Sequence, residues 1–288
     1  MHPLFIERRP GVAGRVFAVL HLPPGPLHGL VVHAHAFAEE MNKSRRMVAL
    51  QARALASAGH AVLVPDLSGC GDSEDDFSGA TWDGWVEDLV LACRWLRRHA
   101  RDATPAQVGA DTSEHGDPPL AIWGHRAGAL LAAQVAARLA DVSQLLLWQP
   151  TPAGKAVLQQ FLRLATVGDL LGGQAASGTA ALRQRLLGGE TVEVVGYAVN
   201  PALALGLDAA RLEPVAGVRR LTWLECSPRE GATLMPAASA AVQAWRSAGC
   251  EVHAQVVQGP AFWQSTEIED APALLQATLH ALSAPHSA

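Results

Sequence analysis

No stretch of this chain runs through the roughly 20 uninterrupted apolar residues that a membrane-crossing helix requires. The N-terminus, Met1-His2-Pro3-Leu4-Phe5-Ile6-Glu7-Arg8-Arg9, lacks the basic segment and following apolar run of a secretory leader. Basic charge is not in excess: 22 Lys plus Arg stand against 27 Asp plus Glu, and a formal charge of -5 gives no support for nucleic-acid binding. Cysteine is scarce. Cys70, Cys93, Cys226 and Cys250 are far apart, without metal-site or redox-pair spacing, so neither a disulfide framework nor a metal motif is read and no cofactor is expected. Such cysteine usage agrees with a reducing compartment, and a cytoplasmic place is the simplest reading. Tyrosine is nearly missing, with Tyr197 alone beside eight tryptophans.

What is present suits an α/β protein. With 288 residues, 49% of them apolar, the chain has enough material for one large core, and its 26 glycines and 18 prolines supply tight turns. Apolar strand patterns occur at Phe17–Leu22, Gly29–His35, Ala61–Pro65, Pro119–Trp123, Gln144–Trp148, Leu221–Glu225 and Glu251–Val257. Helical spacing separates them. Met47, Leu50, Ala54, Leu55 and Ala58 form one stripe ending at Gly59, and Trp85, Val86, Leu89, Val90, Cys93 and Leu96 form another behind a Thr81 cap. Further helices are read over Ala129–Leu139, Ala237–Ala248 and Pro272–Leu282, and the polar stretch Arg101–Pro118 reads as a surface connection. Strands alternating with helices predict a mostly parallel central sheet covered on both faces. The rhythm breaks from Pro150 to about Pro214. There, amphipathic stretches at Val157–Leu171 and Ala180–Leu187, the pairs Gly172-Gly173 and Gly188-Gly189, and a short strand Val192–Val195 predict an insertion in a single domain spanning 1–288. It reads either as a cap over the carboxyl edge of the sheet or as additional packing helices.

The most telling absence lies in Gly124-His125-Arg126-Ala127-Gly128, a strand-to-helix turn whose middle residue has no attacking atom. A guanidinium stays protonated and offers only N–H donors, whereas covalent hydrolysis needs an oxygen or sulfur that a base can activate.

This glycine frame, followed back to Asp66-Leu67-Ser68-Gly69-Cys70-Gly71-Asp72-Ser73 and to the segment from Phe37 through Glu39-Glu40 to Met47, resembles the α/β-hydrolase superfamily. The last segment is similar to the hydrolase-like proteins, often called hydrolase 2, associated with the exosortase A system of exopolysaccharide-producing bacteria. The resemblance implies an α/β-hydrolase fold and a place beside exopolysaccharide synthesis or export. It further implies an acylated, glycosyl or phosphate-bearing small molecule as ligand, or an exopolysaccharide-system protein as partner. It sets a serine nucleophile at position 126, an acid at Glu225 and a histidine close to Phe262, within Gln258-Gly259-Pro260-Ala261-Phe262-Trp263-Gln264. This chain departs at the first and third positions.

Several residues keep two readings. Arg126 either pairs with Glu39, Glu40 or Glu225 to anchor its turn, or joins helix-terminal amides and histidines to hold a phosphate or carboxylate. His33, His35 and His125 are expected to converge at the carboxyl edge of the sheet, as polar lining of a pocket, as hydrogen-bonded structural groups, or as metal ligands. Phe37 and Ala127 stand where this superfamily offers two backbone N–H groups to an oxyanion, and the segment after Phe37 reads otherwise as a plain helix start. Ser68, Cys70 and Ser73 are the candidates for a displaced nucleophile, each needing a base such as His33, His35 or His125. Trp148 and Trp263 read as core residues or as stacking faces for sugar or lipid. The functional expectation is a binding or auxiliary protein with an incomplete serine triad. The alternatives are an acyl or ester hydrolase using a displaced nucleophile or activated water, and a scaffold.

Overall fold

The computed structural model describes residues 1–9, 11–103, 118–171 and 178–283. In chain order the elements are β1 (His2–Glu7), β2 (Arg15–His21), β3 (Gly29–Ala34), α1 (Glu39–Ser57), β4 (His60–Pro65), α2 (Trp82–Ala103), β5 (Leu120–His125), α3 (Gly128–Arg138) and β6 (Val142–Trp148). They continue with α4 (Gly154–Leu171), α5 (Thr179–Leu187), β7 (Val192–Val194), β8 (Tyr197–Val199), α6 (Pro201–Ala209), β9 (Arg220–Ser227), α7 (Pro236–Ser247), β10 (Glu251–Gln258) and α8 (Pro272–Ser283). Eight strands form one sheet in the order β1-β2-β4-β3-β5-β6-β9-β10. Its first two pairings, β1 with β2 and β2 with β4, are antiparallel, and the others are parallel.

The apolar runs become central strands because helices cover both sides. All six residues of β3 and all six of β5 are buried, as expected of strands walled in on two faces. One face packs on α1 and α8 through Val31, Met47, Val62, Trp123, Trp148 and Leu274. The other packs on α2, α3 and α7 through residues including Val32, Leu63, Trp85, Leu130 and Trp245. Thr81 caps α2, its Oγ1 accepting the Gly84 N–H at 3.0 Å. Gly59 follows α1 with φ +94, a backbone turn that glycine adopts freely.

Three elements depart from the sequence reading. β1 was not expected; it is an outer strand on which Ile6 is the buried residue, too little for an apolar pattern. β8 and α6 lie inside the insertion, where α6 carries apolar residues on every side and so shows no stripe. Helix α1, by contrast, starts at Glu39 with both acids in its first turn, the plain helix start read after Phe37. Most of the expected surface connection, 104–117, and Gly172-Gly173 lie outside the described residues. The inserted segment packs α4 and α5 against α6 and carries the antiparallel β7–β8 hairpin.

The carboxyl ends of β3 and β5 adjoin where the chain reverses direction across the sheet, β3 leading through α1 to β4 on one side while β5 lies on the other. Ligands of open α/β sheets bind at such a switch. His33, Phe37, His125 and Arg126 all fall there.

Candidate functional site at the strand-to-helix elbow

The turn after β5 is sharp and crowded. Arg126 adopts φ +55 and donates its backbone N–H to Trp148 O at 2.9 Å. A left-handed conformation is uncommon for a residue with a side chain and marks stored strain. Both flanking glycines are forced by close approach. A Cβ on Gly128 would lie 2.0 Å from Ala34 O, and one on Gly124 would lie 2.7 Å from Ala129 Cα.

Arg126 does not face solvent. Its Nε and Nη2 donate to the Glu40 carboxylate at 3.0–3.2 Å, Nη2 also reaches Gln160 Oε1 at 3.1 Å, and Nη1 reaches Thr151 Oγ1 at 3.3 Å. The Trp263 ring lies beneath it, 5.8 Å from Cζ. The two charged side chains are only 12% and 7% exposed. Here Glu40 is the carboxylate that neutralises the cation, rather than Glu39 or Glu225. An external anion would meet a guanidinium whose charge is already balanced. The cavity beside this pair, bounded by Phe37, Glu39, Gln160 and Phe161, measures about 10 Å³, room for about one water and no larger ligand.

The neighbouring backbone differs. Among the described residues, neither the Phe37 N–H nor the Ala127 N–H has a protein acceptor, although both residues are buried. The two amide donors that the sequence pointed to are thus left without partners.

Glu225 lies near the carboxyl end of β9, which continues to Ser227, and its carboxylate accepts the Trp223 Nε1–H at 2.7 Å. Burial pushes its pKa up, against the opposing pull of that hydrogen bond and of Arg126. In the region after β10 where the resemblance sets a histidine, Phe262 stacks on the His125 ring at 5.5 Å. No imidazole is hydrogen-bonded to Glu225 among the described residues.

The displaced-nucleophile candidates are occupied otherwise. Ser68 Oγ donates to Asp88 and accepts from Arg8 Nη2. Ser73 Oγ donates to Asp66 O and accepts the Phe17 N–H. The Cys70 thiol is pushed up to about 12, first by burial and then by Asp66, so a thiolate is not available near neutral pH. Trp148 corrects the stacking expectation. It is wholly enclosed, with Nε1 bonded to Thr278 Oγ1 at 2.8 Å, and it packs against Trp123, His125 and Phe262. Trp263 is also buried, its ring taken up by Arg126, His125 and Phe262.

The three histidines line a single cavity. They form no metal cluster: among the described residues no group of three or more His, Cys, Asp or Glu side chains is placed to hold an ion. Sequence reasoning missed Thr151 and Gln160, which the insertion brings over the elbow. Thr151 lies just beyond the exit of β6 and Gln160 within α4, and neither carries a local sequence signal.

No family model matches the chain, and no curated protein matches its sequence. Solved structures do. Est1E from Butyrivibrio proteoclasticus, with ferulic acid bound, is similar at TM-score 0.61 and 17% identity over 96% of each chain. An α/β serine hydrolase without a lid from Xanthomonas campestris is similar at TM-score 0.56 and 15% identity over 98% of this chain and 93% of that one. A thermostable carboxyl esterase from Bacillus coagulans is similar at TM-score 0.57 and 15% identity over 90% of each. No helix among the described residues is long and apolar enough to cross a membrane. Sheet order, elbow and these likenesses together establish the α/β-hydrolase fold.

Proposed function

We propose that this protein is a hydrolase-fold binding or auxiliary protein whose elbow has lost serine hydrolysis. The observation that carries the reading is the ion pair of Arg126 with buried Glu40, which puts a paired cation where such a hydrolase carries its nucleophile. Phe262 in the histidine's region removes the base as well. The free N–H groups of Phe37 and Ala127 support retained recognition of a carbonyl or similar oxygen without turnover. The insertion between β6 and β9 acts as a closed cap in this reading, because Gln160 and Phe161 of α4 reach the elbow, Phe161 meeting Phe37 at 5.1 Å.

The context is drawn from the segment Phe37–Met47. Its likeness to exosortase A system-associated hydrolase 2 supports work beside exopolysaccharide synthesis or export, on an acylated or glycosyl-bearing intermediate or with a protein of that system. A cytoplasmic place is supported by four cysteines that are all unpaired.

The test is fluorophosphonate labelling and a short-chain ester survey of wild type, Arg126→Ala and Arg126→Ser. Wild type is expected to be neither labelled nor active, and Arg126→Ser to stay inactive for want of a base. Wild-type turnover abolished by Ser68→Ala would replace this reading with a displaced nucleophile. Ser68 is the candidate to watch because its hydroxyl already donates to a carboxylate, Asp88, at the edge of a cleft of about 590 Å³.

A further inference from the structure

A second cavity, of about 210 Å³, lies between α1 and the sheet, with Val19, Met41, Val48 and Val64 in its mostly apolar walls. An apolar protein cavity of about 150 Å³ admits benzene, so this one has room for about eight carbon atoms. Two exposed lining residues, Met1 and Arg45, mark its mouth.

Most polar atoms of the walls are engaged inside the protein. Ser44 Oγ donates to Glu40 O at 2.6 Å. His35 Nδ1 lies 2.7 Å from Ala36 O, and its Nε2 accepts the Leu67 N–H at 3.4 Å. His33 Nδ1 lies 3.1 Å from Trp123 O, while the ring nitrogens of His125 are enclosed and present no surface. Burial holds His33 at about 3 and His21 at about 4, so neither ring is charged at pH 7. The charge left at the mouth has one sign. Asp66, the carboxylate in the wall, is matched by Arg45 through contacts of 3.2 and 3.3 Å and also accepts the Asp72 N–H at 3.0 Å. After burial, the groups that oppose protonation of His21 are all basic: the Met1 amino group, Arg53 and His2. Arg45, Ala49 and Arg53 recur every four residues along one flank of α1, which sets Arg53 one turn beyond the cavity wall. Arg53 is exposed and has no ion-pair partner among the described residues.

We propose that this cavity binds a medium-chain carboxylate, its alkyl tail among Val19, Met41, Val48 and Val64 and its head at the mouth, facing Arg53 and the Met1 amino group. A carboxylate left at the mouth keeps most of its hydration, so burial of the charge is not required. The tail supplies affinity by leaving water. The cations select against a positive head, by an attraction that salt screens. Nothing in this site depends on what position 126 does.

The experiment follows histidine ring NMR signals of the full chain at pH 7.5 and low salt during titration with octanoate, octylamine and acetate. Octanoate is expected to bind saturably, shifting His21 and His33, about tenfold more tightly than octylamine, as attraction replaced by repulsion at an exposed charge would give. Acetate, which has the head without the tail, should give no saturable shift. Arg53→Glu, a surface change that leaves the fold intact, should weaken octanoate about fivefold and narrow its margin over octylamine. Ala49→Trp fills the cavity from α1 and should abolish octanoate binding, with cooperative unfolding retained. Absence of saturable octanoate binding, as for a cavity that holds ordered water only, overturns the proposal. So does octylamine binding as tightly as octanoate, octanoate affinity unchanged in Arg53→Glu, or octanoate affinity that survives Ala49→Trp.

Discussion

At the scale of single residues, the Arg126–Glu40 pair turns a potential reaction centre into a structural joint. Two nearly enclosed charges are costly to desolvate, and their attraction repays this only when the remaining hydrogen-bonding positions are filled. Thr151 and Gln160 fill those of the guanidinium, and Gln160 Nε2 also donates to Glu40 at 3.4 Å. Removing one partner leaves the other charge buried alone, so Glu40→Ala is expected to cost about 3 kcal/mol or more. Replacing both together, as Glu40→Leu with Arg126→Met, should cost much less, because no ion is then stranded. Urea unfolding of the two single variants and the double variant closes the cycle. A Glu40→Ala loss below about 0.5 kcal/mol, the size of an ordinary surface change, would mean that the pair is peripheral and that the elbow is held by something else.

At the scale of elements, the elbow depends on backbone approach rather than on the identity of its central residue. Gly128→Ala drives a methyl into Ala34 O, and backbone cannot step aside as a flexible side chain can. The expected loss is about 3 kcal/mol or more, at the upper end of overpacking. Gly79, with nothing within 4 Å of the equivalent position, is the control, and Gly79→Ala should shift the melting midpoint little. Equal midpoints for both variants would show that β5 and α3 tolerate a wider turn. The glycine frame was readable because Gly124 and Gly128, set between an apolar strand and an apolar helix, mark a turn in which backbone must meet backbone. Glu40 was readable too. It falls on the buried stripe of α1 with Ser44, Met47, Val48, Gln51 and Leu55, and extending the helical period back from Met47 singles it out from Glu39. Thr151 and Gln160 left no local trace, because their function depends on where the insertion folds. Helix α6 was missed for a different reason. Its all-round apolar surface has no period, although Asn200 followed by Pro201 is a start signal, and Asn200 Oδ1 does accept the Leu203 N–H at 3.1 Å.

At the scale of the whole molecule, the α1–α8 side of the sheet buries imidazoles, and this makes global stability sensitive to mild acid. His33 and His125 are enclosed and held well below the ordinary histidine value by burial, and His60 is lowered by the same cause. In the unfolded chain each would titrate near 6.5. Below that pH the unfolded state takes up protons that the folded state refuses, so the stabilisation is complete above about 6.5 and is lost as pH falls toward 4. Each such histidine contributes at most about 1.4 kcal/mol per pH unit in that window. Glu39 and Glu225 act in the opposite sense. Burial raises their pKa values, so the fold binds their protons before the unfolded chain does, which blunts the decline near pH 5. The net expectation is a fall of about 2 kcal/mol or more between pH 7 and pH 5 in urea unfolding, with a shallower slope in His125→Phe, where one of the rings that must charge on unfolding is gone. A flat profile through this range would require the buried rings to be protonated in the fold, which would contradict their apolar enclosure.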